Sequence, residues 1–255
     1  MTIIIVKERE MKTIAVISDI HGNILALEAV VADIKRRSVD AVLNLGDHLS
    51  GPLWPKETIQ FLMKQEWLQI SGNHDRHLVE RSPGLLGLSD GYALKAINDI
   101  EKEWLRSLPA TLRAEDDILL FHGTPSNDSQ YLLETVEHGR AKLASQSEIT
   151  LRLGKTKSPV MLCGHSHIQR VVQCGGDIVI INPGSVGLPA YNDALPEPHV
   201  MESGSPHARY ALLHHEKRWI VDLITVPYNF HKASEQARKN NRPDWAIGLE
   251  SGYAT

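Results

Sequence analysis

Short apolar runs alternate with amphipathic stretches in the first third of the chain. Their spacing predicts strands at Ile14–Ile17, Ala41–Leu45 and Trp67–Ile70. Apolar residues between the first two strands recur at helical intervals from Asn23, a good N-cap, to Arg37. A second helix opens at Trp54-Pro55, since proline is favourable in a first turn. Strands that alternate with helices predict right-handed crossovers and a largely parallel sheet.

The rest of the chain first favours helices and then strands. Apolar residues at helical intervals predict helices over Gly91–Leu108 and Leu132–Leu153, with a strand at Ile118–Phe121 between them. Beyond residue 159 the apolar runs predict strands at Val160–Cys163, Ile168–Gln173, Ile178–Ile181, Tyr210–His214 and Trp219–Val226. Gly175-Gly176 predicts a hairpin turn. A parallel first half and an antiparallel second half indicate two packed sheets with helices outside.

The segment from Asn192 to His207 contains three prolines and several acidic residues and has no period. This composition predicts a surface loop inserted before a late hairpin. The segment follows Asn182-Pro183-Gly184-Ser185, so a lid or a dimer contact stays an alternative.

Length and charge narrow the class of protein. We expect residues 1–10 to be an N-terminal extension and residues 11–255 to be a single domain, with Met1 and Met11 both open as the start of translation. Lys plus Arg number 27 against 31 for Asp plus Glu, and a net charge of −4 argues against a general nucleic-acid or membrane-surface binder. Cys163 and Cys174 cannot form a disulfide framework, and the apolar runs are too short to span a membrane. We therefore expect a soluble cytoplasmic protein with free core cysteines.

Five segments share one arrangement, in which an apolar strand is followed by a glycine-containing turn with His, Asp or Asn. These turns are Ser18–Asn23, Gly46–His48, Ser71–Asp75, Phe121–Gly123 and Cys163–His167. In α/β sheets, ligands bind where strands end at their carboxyl edge. The five turns are therefore expected to bring their polar side chains to one edge.

The residue types and their spacing favour a metal site. Asp19 and His21 are two residues apart, as are His165 and His167, and in extended chain such residues point the same way. Mixed oxygen and nitrogen ligands without thiolates suit Mn²⁺, Fe, Zn²⁺, Ni²⁺ or Co²⁺ better than Ca²⁺. Each segment alone has an ordinary explanation, such as a helix cap, a turn or a buried core histidine. All five together, each after a strand, indicate a metal-binding protein.

These motifs resemble the signature of the calcineurin-like metallophosphoesterase superfamily, which reads Asp-x-His, Gly-Asp, Gly-Asn-His-Asp/Glu, His and Gly-His-x-His. The chain is most similar to the small single-domain bacterial and archaeal phosphodiesterase branch, from Lys12 to about Tyr228. The resemblance implies a four-layer α/β/β/α sandwich and two divalent transition-metal ions. Manganese is the first expectation, with iron, zinc, nickel and cobalt as alternatives.

The resemblance also implies a role for each matching residue. The first metal would be held by Asp19, His21, Asp47 and His167, and the second by Asp47, Asn73, His122 and His165. His74 matches the catalytic histidine of the family. Its neighbour Asp75 is expected either to orient His74 or to cap a helix.

The activity that the resemblance implies is hydrolysis of small or nucleotide-like phosphodiesters by a hydroxide activated between two metals. A phosphomonoesterase or a protein serine/threonine phosphatase is the alternative. The resemblance to the phosphoprotein phosphatase branch is only partial, because Gly46–Gly51 lacks the arginine of that branch's Gly-Asp-x-Val-x-Arg-Gly pattern. A non-catalytic binding module, like the retromer subunit of this superfamily, is a weaker alternative because every ligand position is filled here. A DNA-repair-type nuclease is weak too, since the chain has neither a cap domain nor a basic excess.

Three further residues are candidates for substrate binding, each with a structural alternative. Asn23 would contact phosphate or cap a helix, and His48 would contact substrate or be a polar turn residue. Arg76 would replace the missing cation or be a solvated residue at a helix start. The partner expected is a small phosphate ester, with no membrane, no general nucleic-acid binding, and homo-oligomerisation left open.

Overall fold

The computed structural model of the protein describes residues 12–114, 118–215 and 218–254, and the expected extension at residues 1–10 lies outside them. The strands are β1 (Lys12–Ile17), β2 (Ala41–Asn44), β3 (Leu68–Gln69), β4 (Thr111–Ala114), β5 (Ile118–Phe121), β6 (Glu134–Glu137), β7 (Arg140–Leu143), β8 (Val160–Leu162), β9 (Arg170–Gln173), β10 (Val179–Asn182), β11 (Ala190–Asp193), β12 (His199–Glu202), β13 (Ala208–His215) and β14 (Trp219–Val226). The helices are α1 (Ile24–Lys35), α2 (Pro55–Leu62), α3 (Asn73–Glu80), α4 (Leu88–Ala96), α5 (Asp99–Ser107), α6 (Gln146–Leu153), α7 (Phe230–Lys239) and α8 (Pro243–Ser251), with a 3₁₀ turn at Pro83–Leu85.

Two five-stranded sheets pack against each other. Their strand orders are β14-β13-β1-β2-β3 and β4-β5-β8-β10-β9. The neighbours β1, β2 and β3 are parallel, as predicted, and the late β13–β14 hairpin joins the same sheet antiparallel to β1. Val16 and Leu43 of the first sheet share one buried apolar cluster with Leu120 and Ile181 of the second. An apolar core therefore lies between the two sheets.

Helices cover the outer faces of both sheets. Leu27 and Val30 of α1 pack with Tyr210 of β13 on the first sheet, and Ile149 of α6 packs with Met161 of β8 on the second. The side chain of Asn23 accepts a hydrogen bond from the Ala26 N–H at 3.2 Å, so it caps α1 as predicted. The α/β sandwich of two mixed sheets with flanking helices is confirmed. None of the helices in the described ranges is long and apolar enough to cross a bilayer.

A third sheet of order β11-β12-β7-β6 corrects two predictions. The predicted helix over Leu132–Leu153 is wrong, because β6 and β7 form a hairpin and only α6 is helical. His138 and Gly139 both have positive φ, 53° and 74°, and this tight hairpin turn outweighs the apolar spacing. The predicted loop from Asn192 to His207 is wrong in part, since its residues 192–193 and 199–202 lie in the antiparallel pair β11–β12, which joins β7 through Val200 and Arg140.

The helices predicted from the sequence differ from the observed helices in their boundaries and in their number. The stretch Gly91–Leu108 is divided between α4 and α5, because Asn98 and Glu101 form a capping box that starts a new helix. Helices α3, α7 and α8 were not predicted. The last two pack together through Ala233 and Ala246, in a cluster that also holds Trp245.

The strand ends carry the candidate site. Asp19 follows β1, Asp47 follows β2, and Asn73 begins α3 just after β3. His122 follows β5 directly, and His165 lies three residues after β8. Both packed sheets therefore contribute residues to one edge of the sandwich.

Candidate metal centre and cleft

The candidate ligands form two adjacent groups. Each has three ligand atoms within 4.8 Å of one another: the first is Asp19, His21 and His167, and the second is Asp47, His122 and His165. All six side chains are buried. Sequence reasoning found these residues, and the structure brings them together from four turns.

Asp47 and Asp19 connect the two groups. The Asp47 Oδ2 atom lies 3.1 Å from His122 Nε2 in its own group and 3.9 Å from His21 Nε2 in the other. Asp19 Oδ1 lies 3.3 Å from His167 Nε2 and 3.8 Å from His122 Nε2. Each of these two carboxylates therefore lies within 4.0 Å of a histidine nitrogen in both groups.

Backbone carbonyls fix the orientation of three imidazoles. The Nδ1–H groups of His21, His122 and His167 donate to the carbonyl oxygens of Ser50, Leu45 and Leu188 at 2.7, 2.8 and 2.7 Å. A donor bond from Nδ1 leaves a lone pair on Nε2, which is the form that binds metals. The three Nε2 atoms face the interior of the site.

These donor atoms fit cations. His21 Nε2 and His167 Nε2 lie 3.1 Å apart, so two lone pairs would face each other unless a positive charge is shared between them. Among the described residues, Asp19 Oδ1, Asn73 Oδ1 and His122 Nε2 are buried without a hydrogen-bond partner. Buried polar atoms are normally satisfied. Divalent cations coordinated here would satisfy all of these atoms.

The turns that present the ligands are in the left-handed backbone region. Asp19, His21, Asp47, His165 and His167 have φ values of 55°, 51°, 56°, 67° and 61°. The pairs two residues apart thus converge through tight turns, and the expectation that they lie on extended chain is wrong. Non-glycine residues in this region cost of order 1–3 kcal/mol each and cluster at functional sites. Gly72 is required beside them, because a Cβ there would overlap the Asp47 carboxylate.

Local electrostatics sets the protonation state of the ligands. Burial raises the pKa of Asp19, but the neighbouring His167 lowers it more, and the pKa falls to about 2. Burial lowers the pKa of His21 and of His165 to about 4, with further lowering by His167 and His122 respectively. Charged Asp19 and neutral His21 and His165 are the forms that metal ligands need. His122 differs, because burial lowers its pKa but Asp47 and Asp19 raise it to about 10, so a cation there would replace a proton on that ring.

His74 stands at the edge of the site, and Asp90 holds it. The side chain of His74 is one-third exposed, and its Nδ1 lies 2.7 Å from Asp90 Oδ1. Burial lowers the pKa of His74, whereas Asp47 and Asp90 raise it to about 9. Ser50 Oγ donates to the same Asp90 oxygen at 2.5 Å. The backbone N–H of His74 donates to Asp47 Oδ1 at 2.9 Å, which links this residue to the ligand groups.

The expectation that Asp75 orients His74 is wrong. The Asp75 carboxylate accepts hydrogen bonds from the backbone N–H groups of Gly72, Asp47 and His48 at 2.9, 2.8 and 3.0 Å. It also lies 2.7 Å from His48 Nδ1. Consecutive helical residues point about 100° apart, so Asp75 reaches back over the helix start. Its role is to cap α3 and to hold the turn that carries Asp47.

The three residues predicted to bind substrate all form other contacts within the protein. His48 is fully buried and its ring packs edge-on against Trp104 at 5.5 Å, so it does not face the cleft. Asn23 is fully buried too, and its Nδ2 donates to the Gly187 carbonyl at 2.9 Å. Arg76 forms a two-point ion pair with Asp128, at 2.6 and 2.8 Å. Asn23 is a helix cap, as its structural alternative states, whereas Arg76 is ion-paired and not the solvated residue of its alternative. None of the three lines the cleft, and their contact with substrate stays a prediction.

The site opens into a cleft of about 860 Å³. One wall comes from α3, the start of α4 and α8, and includes His77, Arg81 and Trp245. The other wall comes from the third sheet, which includes Tyr191, and from the segment before β6, which includes Tyr131. Tyr131 stacks on His165 with ring centroids 4.7 Å apart. Sequence reasoning missed all of these residues, since no spacing links them to the ligand turns.

Two buried His/Asp groups at the strand ends of an α/β sandwich define the class as an α/β protein with a cleft over candidate metal ligands. The chain belongs to the calcineurin-like phosphoesterase superfamily, whose domain model matches residues 11–201. This is a family of metal-dependent hydrolases of phosphate esters.

Individual proteins similar to this chain come from archaea and bacteria. An uncharacterized protein of Methanocaldococcus jannaschii, MJ0912, is 26% identical over 91% of this chain and 94% of its own. A metallophosphoesterase from Sphaerobacter thermophilus superposes with a TM-score of 0.73 at 24% identity, over 95% of this chain and all of that one. The hypothetical protein PH1004 from Pyrococcus horikoshii superposes with a TM-score of 0.74 at 18% identity, over 95% and 99%. The two structures support the fold.

Proposed function

We propose that the protein is a metal-dependent phosphodiesterase that hydrolyses small or nucleotide-like phosphate esters. The observation that carries the proposal is the pair of adjacent buried His/Asp groups, with the Asp47 carboxylate facing both. Two sites this close suit a substrate phosphoryl group that both cations contact at once.

Seven residues would hold the ions. Asp19, His21, Asp47 and His167 would bind the first, and Asp47, Asn73, His122 and His165 the second. Two divalent ions held there supply electrostatic stabilisation of the phosphoryl oxygens and a nucleophile at neutral pH. The ligand set of carboxylates, imidazoles and one amide supports transition metals, with manganese as our first proposal.

His74 would act as the general acid of the reaction. Its Nδ1 is engaged by Asp90, so Nε2 is the ring nitrogen left to donate a proton to the departing oxygen. The contact of its backbone N–H with Asp47 keeps this ring beside the ligand groups. Asp90 would then be a positioning residue, which holds the ring orientation and stabilises the protonated form.

The charge around the site favours a diester over a monoester. A monoester is a dianion near neutral pH, whereas a diester carries one negative charge. The turn Gly46–Gly51 lacks the arginine that phosphoprotein phosphatases have in this motif. The charge of Arg76, the residue predicted to replace it, is neutralised by Asp128. A phosphomonoesterase remains the alternative activity. The single domain over residues 11–255 and the cytoplasmic location remain predictions; the two buried free cysteines agree with a reducing compartment.

Metal content tests the proposal directly. After dialysis against metal-free buffer, elemental analysis of the loaded protein should find two transition ions per chain, and chelation should abolish cleavage of bis(p-nitrophenyl) phosphate. Asp47→Asn should lower the affinity for both ions, whereas His167→Gln should lower the affinity for one. Full activity of metal-free protein would overturn the proposal.

A further inference from the structure

A third group of metal-type side chains lies beside the two ligand groups. It consists of His74 and His77, three residues apart on α3, and Asp90 on α4, with ligand atoms within 4.8 Å of one another. We name it the His77 cluster. His77 and Asp90 are buried, with 7% and 4% of their surfaces exposed, and His77 lines the cleft.

His77 is the unexplained member of this cluster. Neither of its ring nitrogens has a hydrogen-bond partner among the residues that the structure describes, although both are buried. The nitrogen Nδ1 lies 3.5 Å from Asp90 Oδ2, beyond hydrogen-bond contact for two well-aligned groups. A buried imidazole without partners is costly, and a bound ligand would relieve that cost.

The separations are close to those of a metal site. Bonds of about 2.0–2.2 Å at a tetrahedral angle place two ligand atoms roughly 3.4 Å apart. The His77 Nδ1–Asp90 Oδ2 separation of 3.5 Å already matches this value. The His74 Nδ1–Asp90 Oδ1 separation of 2.7 Å would widen by roughly 0.7 Å, which a side-chain rotation supplies.

We propose that His74, His77 and Asp90 bind a third divalent transition ion, with Zn²⁺ as the ion best suited to two imidazoles and one carboxylate. Three protein ligands leave a fourth position for water. The one-third exposed side chain of His74 provides the route from the cleft to the buried pair. This site is separate from the seven residues of the proposed two-metal centre.

Zinc at the His77 cluster competes with the hydrogen bond between His74 and Asp90. Coordination uses the lone pair of His74 Nδ1, so the proton that this nitrogen shares with Asp90 leaves to solvent. Ser50 Oγ donates to Asp90 Oδ1, whereas Oδ2 is the oxygen that lies 3.5 Å from His77 Nδ1. An ion here redirects the residue that we propose as the general acid, so excess zinc should inhibit the enzyme through this cluster.

The proposal is tested by metal counting that does not depend on activity. Protein loaded at its tight sites is titrated with Zn²⁺ by isothermal calorimetry, and the wild-type chain should bind one ion more than His77→Gln. His214→Gln is the matched control, because His214 also lies beside a carboxylate, Asp222 at 3.2 Å, but belongs to no three-ligand group among the described residues. The control should bind as many ions as the wild type.

The ion count distinguishes failure of this proposal from failure of the proposed two-metal function. If the two-metal centre is wrong, the total number of ions falls but the difference of one between wild type and His77→Gln persists. If the His77 cluster binds nothing, that difference is zero and the proposal is overturned.

A measurement on the wild type covers the case in which the variant misfolds. Histidine ¹⁵N NMR of the loaded protein should show that one further equivalent of Zn²⁺ shifts the ring nitrogens of His74 and His77. Unchanged nitrogens would mean an ordinary His–Asp contact and would overturn the proposal. In activity assays on the loaded protein, the inhibition constant for excess Zn²⁺ should be about tenfold or more higher in His77→Gln than in the wild type.

Discussion

The Nδ1 atom of His74 lies 2.7 Å from Oδ1 of Asp90, and this contact joins the helix that begins at Asn73 to the helix that begins at Leu88. Sixteen residues separate the two side chains along the chain. Because a carboxylate next to imidazole stabilises the protonated ring, the pair prepares His74 to give a proton from its other nitrogen.

The first prediction concerns the leaving group. General-acid catalysis is worth about 10²–10⁴-fold, but nitrophenolate departs readily without a proton. We expect His74→Ala to lose far more kcat on alkyl or nucleotide esters than on nitrophenyl esters, and to retain both metal ions. Asp90→Asn should show the same dependence on the leaving group, with a smaller loss of kcat.

The double variant isolates the coupling between these two residues. If Asp90 acts through His74, adding Asp90→Asn to His74→Ala should reduce kcat little further. Additive losses would mean that Asp90 acts independently of the ring. Equal losses on both ester types would assign His74 to charge stabilisation or substrate positioning. Loss of an ion from the two-metal centre, beyond the third ion of the His77 cluster, would place His74 in the ligand set of that centre.

The second prediction concerns substrate charge. We expect bis(p-nitrophenyl) phosphate to have a higher kcat/KM than p-nitrophenyl phosphate, since no arginine stands in the Gly46–Gly51 turn. Arg81 is exposed at the cleft wall and is the cation to examine if the order is reversed. In that case Arg81→Gln should selectively raise KM for the monoester, and the protein would be a phosphomonoesterase.

The third prediction concerns the capping carboxylate Asp75. Leaving a buried donor without its hydrogen-bond partner costs about 1–3 kcal/mol, and Asp75 accepts from three backbone N–H groups. Asp75→Ala should therefore lower the free energy of urea unfolding by at least about 1–3 kcal/mol. Metal affinity should fall too, because Asp75 accepts the backbone N–H of Asp47. Glu148, which caps α6 in the same way on the surface, is the control. Glu148→Ala should cause a smaller loss and leave metal content unchanged; equal effects would contradict a special role for Asp75.

The fourth prediction is a pH dependence of stability from Asp33. Burial raises the pKa of this carboxylate, but hydrogen bonds from Tyr210, Arg37 and Arg36 lower it below 3.8 overall. A depressed folded-state pKa stabilises the protein above the unfolded-state pKa, and the effect disappears as the pH falls through the folded-state value. Asp33→Asn should therefore lower Tm at pH 7, with a gap that closes below about pH 4.

A surface aspartate provides the comparison for Asp33. The Asp99 side chain is 98% exposed, and its one ion pair within the described part of the chain is with Lys102. Asp99→Asn should leave Tm nearly unchanged at every pH, since exposed ion pairs contribute little. A gap for Asp33→Asn that stayed constant with pH would show that lost packing, and not charge, causes the effect.

The amino-acid sequence by itself determined the turns of the candidate site. Short apolar strands, each ending in a glycine-containing turn, are a local pattern, and parallel strands that end at one edge must bring those turns together. This logic identified Asp19, Asp47 and His122, which the structure brings within one site. The sandwich of two sheets followed from the same alternation of strands and helices.

Only the tertiary structure decided what surrounds those turns. The partner of His74 is Asp90 and not its neighbour Asp75, because a helix turns adjacent side chains apart while packing brings the start of another helix close. The two hairpins of the third sheet escaped prediction because their strands are only four residues long, and a pairing between distant segments, Val200 with Arg140, joins them into one sheet. Non-local pairing leaves little periodic signal, so the cleft wall, unlike the ligand turns, depends on the completed fold.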